Sequence, residues 1–280
     1  LIETIYSDGT IKTTEYNNIG KVASETDSAG RKTSYKYDVF GNLSQINYPD
    51  GTMESFTYDK EGHNLTSTDR LGRKVSMTYD AVGNLLTKTY PNGAVVSYSY
   101  DANYNLVSTT STSGAVTTYE YDKIGRNTAI IDALGNRTSF AYNKNSQLAS
   151  MTDAKGNVHN YTYDLNGNRI KTTYPDGSSV SSEYDARGRV TSQTDQHGYK
   201  TSYTYDGADR LTSVTDAQGN TTSYTYNEVG NLVAVTDANG NTTNYVYDEF
   251  SRVTKTTNAL GQTAEITYDK CGNVLTSTDY

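Results

Sequence analysis

The stretch Asp216–Asp248, DAQGNTTSYTYNEVGNLVAVTDANGNTTNYVYD, contains one pattern twice. Its first part, DAQGNTTSYTYN, returns 21 residues later as DANGNTTNYVYD. Self-similarity at a fixed period indicates a repeat protein, in which copies of one short unit build the fold.

The same unit extends over the rest of the chain. A tyrosine, here called the opening tyrosine, begins each repeat, and every interval between successive opening tyrosines is 21 residues. Glycine stands fourteen residues after each of the first twelve, and a second, looser glycine column stands four residues after the opening tyrosines. The opening tyrosines are Tyr16, Tyr37, Tyr58, Tyr79, Tyr100, Tyr121, Tyr142, Tyr163, Tyr184, Tyr205, Tyr226, Tyr247 and Tyr268.

Each repeat predicts two short strands and two turns. Two runs rich in Thr, Val and Tyr alternate with two Asp-x-x-Gly segments, and such runs between turn signals are typical of strands. Glycine supplies positive φ, and Asp bonds its own following backbone. Pro49, Pro91 and Pro175 all fall in the second of these segments, where proline favours a turn.

Strand alternation places the opening tyrosine on one face together with the residue two positions before it, which is usually aromatic. The opposite face is expected to be polar and hydrated. Because 21 is odd, the two turns must differ by one residue or one strand must carry a bulge. Leu65 and Ile170 stand one residue later than the usual leucine, so we expect local bulges near residues 63–65 and 168–170.

The predicted fold class is all-β: tandem 21-residue antiparallel β-hairpins that form a long, coiled strip. Stacked hairpins cover one another's rings, and a sheet of many strands must twist. Residues 1–280 form a single array of about 13 units, which we expect to be an excerpt of a longer chain. A β-solenoid with one 21-residue coil per turn is the competing fold, and it requires parallel strands.

Composition excludes several classes of protein. The net charge of −8 argues against nucleic-acid binding, which needs clustered Lys and Arg. No apolar run is long enough for a transmembrane helix. The chain has 27 tyrosines and no tryptophan, so tyrosine supplies most of the aromatic surface. Cys271 is the single cysteine, so no disulfide can form within the chain, which leaves an intermolecular disulfide open.

The repeat pattern gives little support for a catalytic or metal-binding site. The Asp-x-x-Gly segments lack the converging oxygens of a calcium loop and are expected to cap turns. His63, His159 and His197 occupy different columns of the repeat. We therefore predict no catalytic, metal or cofactor site and no enzyme activity.

The YD dipeptide, the following G-N/R-L/V and the T-D-x-x-G-N-x-T-x-Y-x-Y-D linkage resemble the YD repeat of Rhs-type proteins. The resemblance covers essentially the whole chain. It implies hairpins laid side by side in a spiral strip that walls a shell, as in bacterial polymorphic toxins, the C component of insecticidal toxin complexes and teneurins. The family's closing region with its self-cleaving aspartate motif is not recognisable in this sequence.

Two functions follow from these observations. The first is a structural scaffold, secreted or on a bacterial cell surface, whose partners are flanking repeats, the shell-closing region and an enclosed toxin or effector polypeptide. The second is an extracellular adhesive module that binds glycans or partner proteins through exposed tyrosines. The candidate contact residues for the second lie outside the regular tyrosine columns, and turns are expected to expose them: Tyr48, Tyr90, Tyr104, Tyr174 and Tyr199.

Overall fold

A computed structural model describes residues 2–6 and 10–280. Its described residues contain strands and turns and no helix. The chain divides into two compact units, residues 1–139 and 140–280. Strand β14 (Arg137–Tyr142) lies across the division.

The first unit contains thirteen further strands, each of four to six residues. They are β1 (Ile2–Ile5), β2 (Ile11–Tyr16), β3 (Val22–Thr26), β4 (Lys32–Tyr37), β5 (Leu43–Asn47), β6 (Met53–Tyr58), β7 (Asn64–Thr68), β8 (Lys74–Tyr79), β9 (Leu85–Thr89), β10 (Val95–Tyr100), β11 (Leu106–Thr110), β12 (Val116–Tyr121) and β13 (Asn127–Ile131).

The second unit also contains thirteen strands after β14. They are β15 (Leu148–Thr152), β16 (Val158–Tyr163), β17 (Arg169–Thr173), β18 (Ser179–Tyr184), β19 (Val190–Thr194), β20 (Lys200–Tyr205), β21 (Leu211–Thr215), β22 (Thr221–Tyr226), β23 (Leu232–Thr236), β24 (Thr242–Tyr247), β25 (Val253–Thr257), β26 (Thr263–Tyr268) and β27 (Val274–Ser277).

Within each unit, every strand pairs antiparallel with the next strand along the chain, for example β10 with β11 and β21 with β22. The prediction of tandem antiparallel hairpins is confirmed. The competing β-solenoid fold is excluded, because a solenoid needs parallel neighbouring strands and the observed strand pairs are antiparallel.

The odd period is resolved by a bulge in the first strand of each repeat. Tyr100 pairs with Leu106 and Ser99 pairs with Ser108, so Val107 is the extra residue. The same shift occurs in twelve strand pairs, always opposite an opening tyrosine. One extra residue per repeat keeps each column on its own face of the sheet.

The expected bulges at residues 63–65 and 168–170 are present, at Leu65 and Ile170. The prediction that they are local is wrong, because the neighbouring repeats carry the same bulge. Asn64 and Arg169 occupy the usual leucine position in these two repeats and pair with the opening tyrosine as leucine does.

The protein has almost no buried core among its described residues. Its accessible surface is 17721 Å². A compact protein of this mass would expose about 12,000 Å², and two separate compact halves about 14,000 Å². Ala129 is the one apolar residue of the described part that is fully covered. Most strand side chains are half-exposed, as expected for sheets with no second layer against them.

The face expected to be hydrated holds the best-covered side chains. Ser24, Ala129 and Ser192 are at most 3% exposed. Above each of them, an ion pair joins the two strands on either side. Over Ala129, Arg137 of β14 donates to Glu120 of β12 at 2.6 and 2.7 Å. The equivalent pairs are Lys32 with Glu15 and Lys200 with Glu183, both at 2.9 Å. The long basic side chains exclude water from the small residue beneath them.

Candidate functional site

Both turns of the repeat have the same backbone. At the first turn, which follows the opening tyrosine, Asp101 N–H donates to the Asn105 carbonyl at 2.9 Å. At the second turn, Asp216 N–H donates to the Asn220 carbonyl at 2.9 Å. In each case the N–H of the fourth turn residue donates back to the Asp carbonyl. This is the pattern of a three-residue hairpin loop with a left-handed residue at its end.

Aspartate caps these turns, as the sequence predicted. Oδ1 of Asp80 accepts the N–H groups of Val82 at 3.0 Å and Asn84 at 2.9 Å, while Oδ2 accepts the Asn84 amide at 2.9 Å. The hydrogen bond from the Asn84 side chain, followed by those from the backbone, holds the pKa of Asp80 below its usual range despite partial desolvation. These carboxylates are therefore ionised and engaged in the turn at neutral pH.

Four residues other than glycine occupy the left-handed position of the first turn. Tyr104, Ser146, Asp209 and Ser251 have φ between 61° and 65°. They are the residues that interrupt the looser glycine column in the sequence. The column thus marks a backbone conformation that glycine adopts without steric cost.

The first turn also links neighbouring repeats. The Arg210 guanidinium bonds Asp206 in its own turn at 2.7 Å, lies 4.8 Å from the Tyr226 ring centroid and donates to the Asn227 carbonyl at 3.0 Å. Arg189 and Arg252 repeat this arrangement with their own neighbours. We call this residue, five positions after the opening tyrosine, the staple residue.

Each opening tyrosine reaches back to the preceding bulge. The Tyr121 hydroxyl donates to the Leu106 carbonyl at 2.9 Å. That carbonyl belongs to the peptide joining Leu106 to the bulged residue Val107. A bulge disrupts the ladder locally, and the phenol supplies a hydrogen bond there. Within the described part of the chain, the same bond, between residues 15 apart, occurs in at least ten repeats at 2.7–3.2 Å.

Sequence reasoning missed both the staple and the tyrosine–bulge bond. The odd period required an irregularity, and the sequence placed a bulge in the first strand of two repeats but not in the others. The signal for the staple was available: the fifth position after the opening tyrosine holds mostly Asn and Arg, whose N–H groups can donate to the turn aspartate.

The five candidate tyrosines fall into two groups. Tyr104 and Tyr199 are 60% and 61% exposed. Tyr48, Tyr90 and Tyr174 are half-buried, so the expectation that turns expose all five is wrong for these three. Their rings lie against neighbouring side chains: Arg70 is 4.3 Å from the Tyr48 centroid, Lys88 is 5.3 Å from that of Tyr90, and His159 is 5.7 Å from that of Tyr174.

Three of the five tyrosines line grooves. Tyr90 borders a groove of about 870 Å³ in the first unit, together with Phe56, Val75, Val96 and Arg73. Tyr48 lines a smaller groove of about 430 Å³ in the same unit. Tyr199 lines one of about 440 Å³ in the second unit. Whether any of these tyrosines contacts a ligand stays a prediction.

The histidines do not form a common site within either unit. His63 bonds Asp59 at 2.8 Å and stacks on Tyr79 at 4.9 Å, which makes it a staple residue. His159 and His197 contact Tyr174 and Tyr199 respectively. The described part of the chain contains no cluster of three or more His, Cys, Asp or Glu placed to hold a metal ion. Cys271 lies exposed beside Gly272.

Among residues 2–6 and 10–280, no helix has the length and apolar character that a bilayer crossing requires.

Comparison with known structures supports the fold. The crystal structure of TcdB2-TccC3-TEV matches 97% of this chain with a TM-score of 0.65 and 16% identity. A Tc holotoxin pore of Photorhabdus luminescens matches the same share with a TM-score of 0.66 and 16% identity. The chain spans 18% of each matched chain. At this identity the likeness shows the fold alone.

No curated protein matches the sequence. The model of the RHS Repeat family does, over nine overlapping stretches: residues 16–53, 58–95, 79–116, 100–137, 121–158, 142–179, 184–222, 205–242 and 226–263. These stretches consist of the 21-residue hairpins described above. They cover well over half of the chain, which therefore belongs to the RHS repeat family and is a structural repeat scaffold.

Proposed function

We propose that this scaffold forms part of the wall of a shell that encloses or displays a toxin or effector polypeptide, in a secreted or bacterial cell-surface protein. The observation that carries the proposal is the half-exposed state of both sheet faces, with a surface of 17721 Å². A sheet with so little core is suited to separating two compartments, because each face can contact different contents.

The two faces have the different chemistries that a wall needs. One carries rows of tyrosine rings whose hydroxyls are bonded at the bulges, such as Tyr121 to Leu106. The other carries hydroxyl pairs such as Thr57 with Thr66 at 2.7 Å and Thr78 with Thr87 at 2.6 Å. Flanking repeats and a closing region would complete the wall, and these are the partners that the proposal requires.

Structural relatives are consistent with this role. The matched chains belong to assemblies described as TcdB2-TccC3-TEV and a Tc holotoxin pore. Because this chain spans only 18% of them, it would supply a segment of a wall and not the whole enclosure. The proposed scaffold needs no cofactor and no catalytic residue.

The test uses the native polypeptide, expressed in full from its own gene. Electron cryomicroscopy is expected to show the repeats as a wall around an internal volume that contains polypeptide density. Limited proteolysis is expected to spare the enclosed segment until Tyr121→Ala and Tyr226→Ala loosen the wall. A map in which both sheet faces meet open solvent, with every other segment cleaved at once, would contradict the proposal.

A second function is favoured by one specific observation, the tyrosine-lined grooves. Aromatic rings beside charged groups, such as Tyr48 beside Arg70 and Asp50, provide the stacking and hydrogen bonding that glycans use. An adhesive module should lose glycan-array binding when Tyr48, Tyr90, Tyr104, Tyr174 and Tyr199 are all replaced by alanine. A variant with exposed Leu71, Leu134 and Leu260 replaced by serine is the control. Binding that survives the five substitutions excludes this function for these residues.

A further inference from the structure

The row of rings on the aromatic face has one gap. Seven of the twelve residues that stand two positions before Tyr37 and the later opening tyrosines are tyrosines. Four more are large apolar side chains: Phe56, Met77, Phe140 and Ile266. The twelfth is Ser182, which leaves the position of a ring unfilled on β18.

A groove of about 440 Å³ lies at this gap. Ser182 lines it together with Thr172, Val180, Tyr184, Gln193 and Tyr199. The strand register places Gln193 directly opposite Ser182, and Thr172 opposite Val180, so these residues share the aromatic face. The volume is within the range of about 300–1,000 Å³ that small-molecule sites occupy.

Other repeats show how a ring sits at this position. The Tyr203 hydroxyl donates to Gln193 at 3.1 Å, and the Tyr35 hydroxyl donates to Glu25 at 3.0 Å. In both cases the acceptor lies ten residues earlier in the chain. The residue ten positions before Ser182 is Thr172, whose hydroxyl can accept a hydrogen bond. Thr172 is only 8% exposed. A ring in the gap would therefore find a polar partner for its hydroxyl.

We propose that the groove over Ser182 receives a tyrosine side chain of a partner polypeptide. The ring would occupy the unfilled place in the row, between Tyr184 and Tyr199, with its hydroxyl at Thr172. Aromatic pairs gain stabilisation beyond the area that they bury, which favours a ring over an aliphatic side chain. This inference depends on the proposed function in one respect: the partner polypeptide would be the segment that the shell encloses or displays.

Binding is measured on the 280-residue chain with N-acetyl-L-tyrosinamide as the probe and NMR shifts of Val180 and Thr201 as the readout. Saturable shifts are expected at Val180 and Thr201. Ser182→Tyr fills the gap with the chain's own ring and should weaken binding at least tenfold. Ser202→Tyr, which adds the same ring on the opposite face, should leave binding unchanged. Because other repeats carry tyrosine at this position, Ser182→Tyr is expected to fold.

A gain of function sharpens the test. Tyr35→Ser creates a matching gap in the first unit, where Glu25 accepts the ring hydroxyl, and should add a second binding site, seen as new shifts near Thr33 and Ile46. Unchanged binding in Ser182→Tyr would overturn the proposal. So would equal binding of N-acetyl-L-leucinamide, or binding of methyl glucoside in place of the tyrosine probe. A shell that encloses polypeptide without this binding would overturn this proposal alone and leave the proposed function intact.

Discussion

The two edges of the hairpin array carry the same turn and use it differently. At the first-turn edge, the side chain that follows the turn reaches the next repeat, as Arg210 reaches Tyr226 and the Asn227 carbonyl. At the second-turn edge, the equivalent side chain stays in its own turn, as Arg31 does with Asp27 at 2.7 Å.

Glycine surroundings show the same contrast. At first-turn glycines from Gly41 onward, an added Cβ would meet the staple residue of the preceding repeat at 2.5–3.8 Å. At the second-turn glycines from Gly30 to Gly261, nothing lies within 4 Å. The staple residue thus supplies a recurring contact between repeats at the first-turn edge. At the second-turn edge, where the prolines occur, such contacts come from single side chains, as when Arg70 donates to Asp50 of the preceding repeat.

Acid should have the largest effect, because it acts on the turns of both edges together. The folded-state pKa values of the turn aspartates are depressed, for Asp101 by the Asn105 side chain and backbone and for Asp216 by Asn220 in the same way. Their contribution to stability is therefore present above the unfolded pKa of about 3.9 and is lost as pH falls through the folded values. We expect the urea midpoint of circular dichroism to drop steeply below about pH 4.

A matched variant identifies the cause of that drop. Asn already replaces Asp at the turn positions of Asn143 and Asn227. Replacing Asp80, Asp101 and Asp164 by Asn should keep the turns while removing three titrating groups, so the acid-induced loss should be smaller. An identical pH profile in the variant would show that the turn carboxylates are not responsible.

Removing an opening tyrosine should cost most among single substitutions. Tyr121→Ala deletes a half-buried ring and its bond to the Leu106 carbonyl, and we expect a loss of about 2–3 kcal/mol in the free energy of unfolding. Tyr199→Ala, at a 61% exposed residue of the second-turn edge, should change stability by less than about 0.5 kcal/mol. Urea unfolding of both variants measures the difference. Equal losses in the free energy of unfolding would contradict the difference between the two edges.

The glycines offer a comparison with identical chemistry at the two edges. Gly83 and Gly93 both have positive φ, at 94° and 80°. An alanine at either position costs about 1–2 kcal/mol for the left-handed backbone. At Gly83 the new Cβ would also stand 2.5 Å from the His63 ring, whereas at Gly93 it meets open space. Gly83→Ala should therefore lower the thermal midpoint more than Gly93→Ala, and the reverse order would argue against the staple.

The phenol hydroxyl alone should have the smallest effect. Tyr121→Phe keeps the ring but removes the donor to the Leu106 carbonyl, with an expected loss of about 0.5–1.5 kcal/mol. Tyr104→Phe, at an exposed first-turn position, is the control and should be neutral. No difference between these variants in urea unfolding would mean that water replaces the hydroxyl at the bulge.

Much of this fold could be predicted from the sequence because it rests on local rules. Glycine, aspartate and proline columns define turns by backbone chemistry, and alternation defines faces. The odd period showed that each repeat needs one extra residue. It did not locate this residue at Val107, because a bulge in either strand is compatible with an odd period. The exposure of Tyr48 and Tyr174 was misjudged because their rings lie against Arg70 and His159 from neighbouring repeats. The ring of Tyr90 lies against Lys88, two positions before it.

The most direct test of the staple is native-state hydrogen exchange at paired turns. The N–H groups of Gly230 and Gly219 make the same turn hydrogen bond, both at 3.1 Å, at the first-turn and second-turn edges. Because the backbone bond is the same, protection of Gly230 that depends on Arg210 reports its contact with the preceding repeat. We predict that Gly230 exchanges about tenfold more slowly than Gly219 and that Arg210→Ala removes this protection. Equal exchange rates in the unmodified chain would contradict the account.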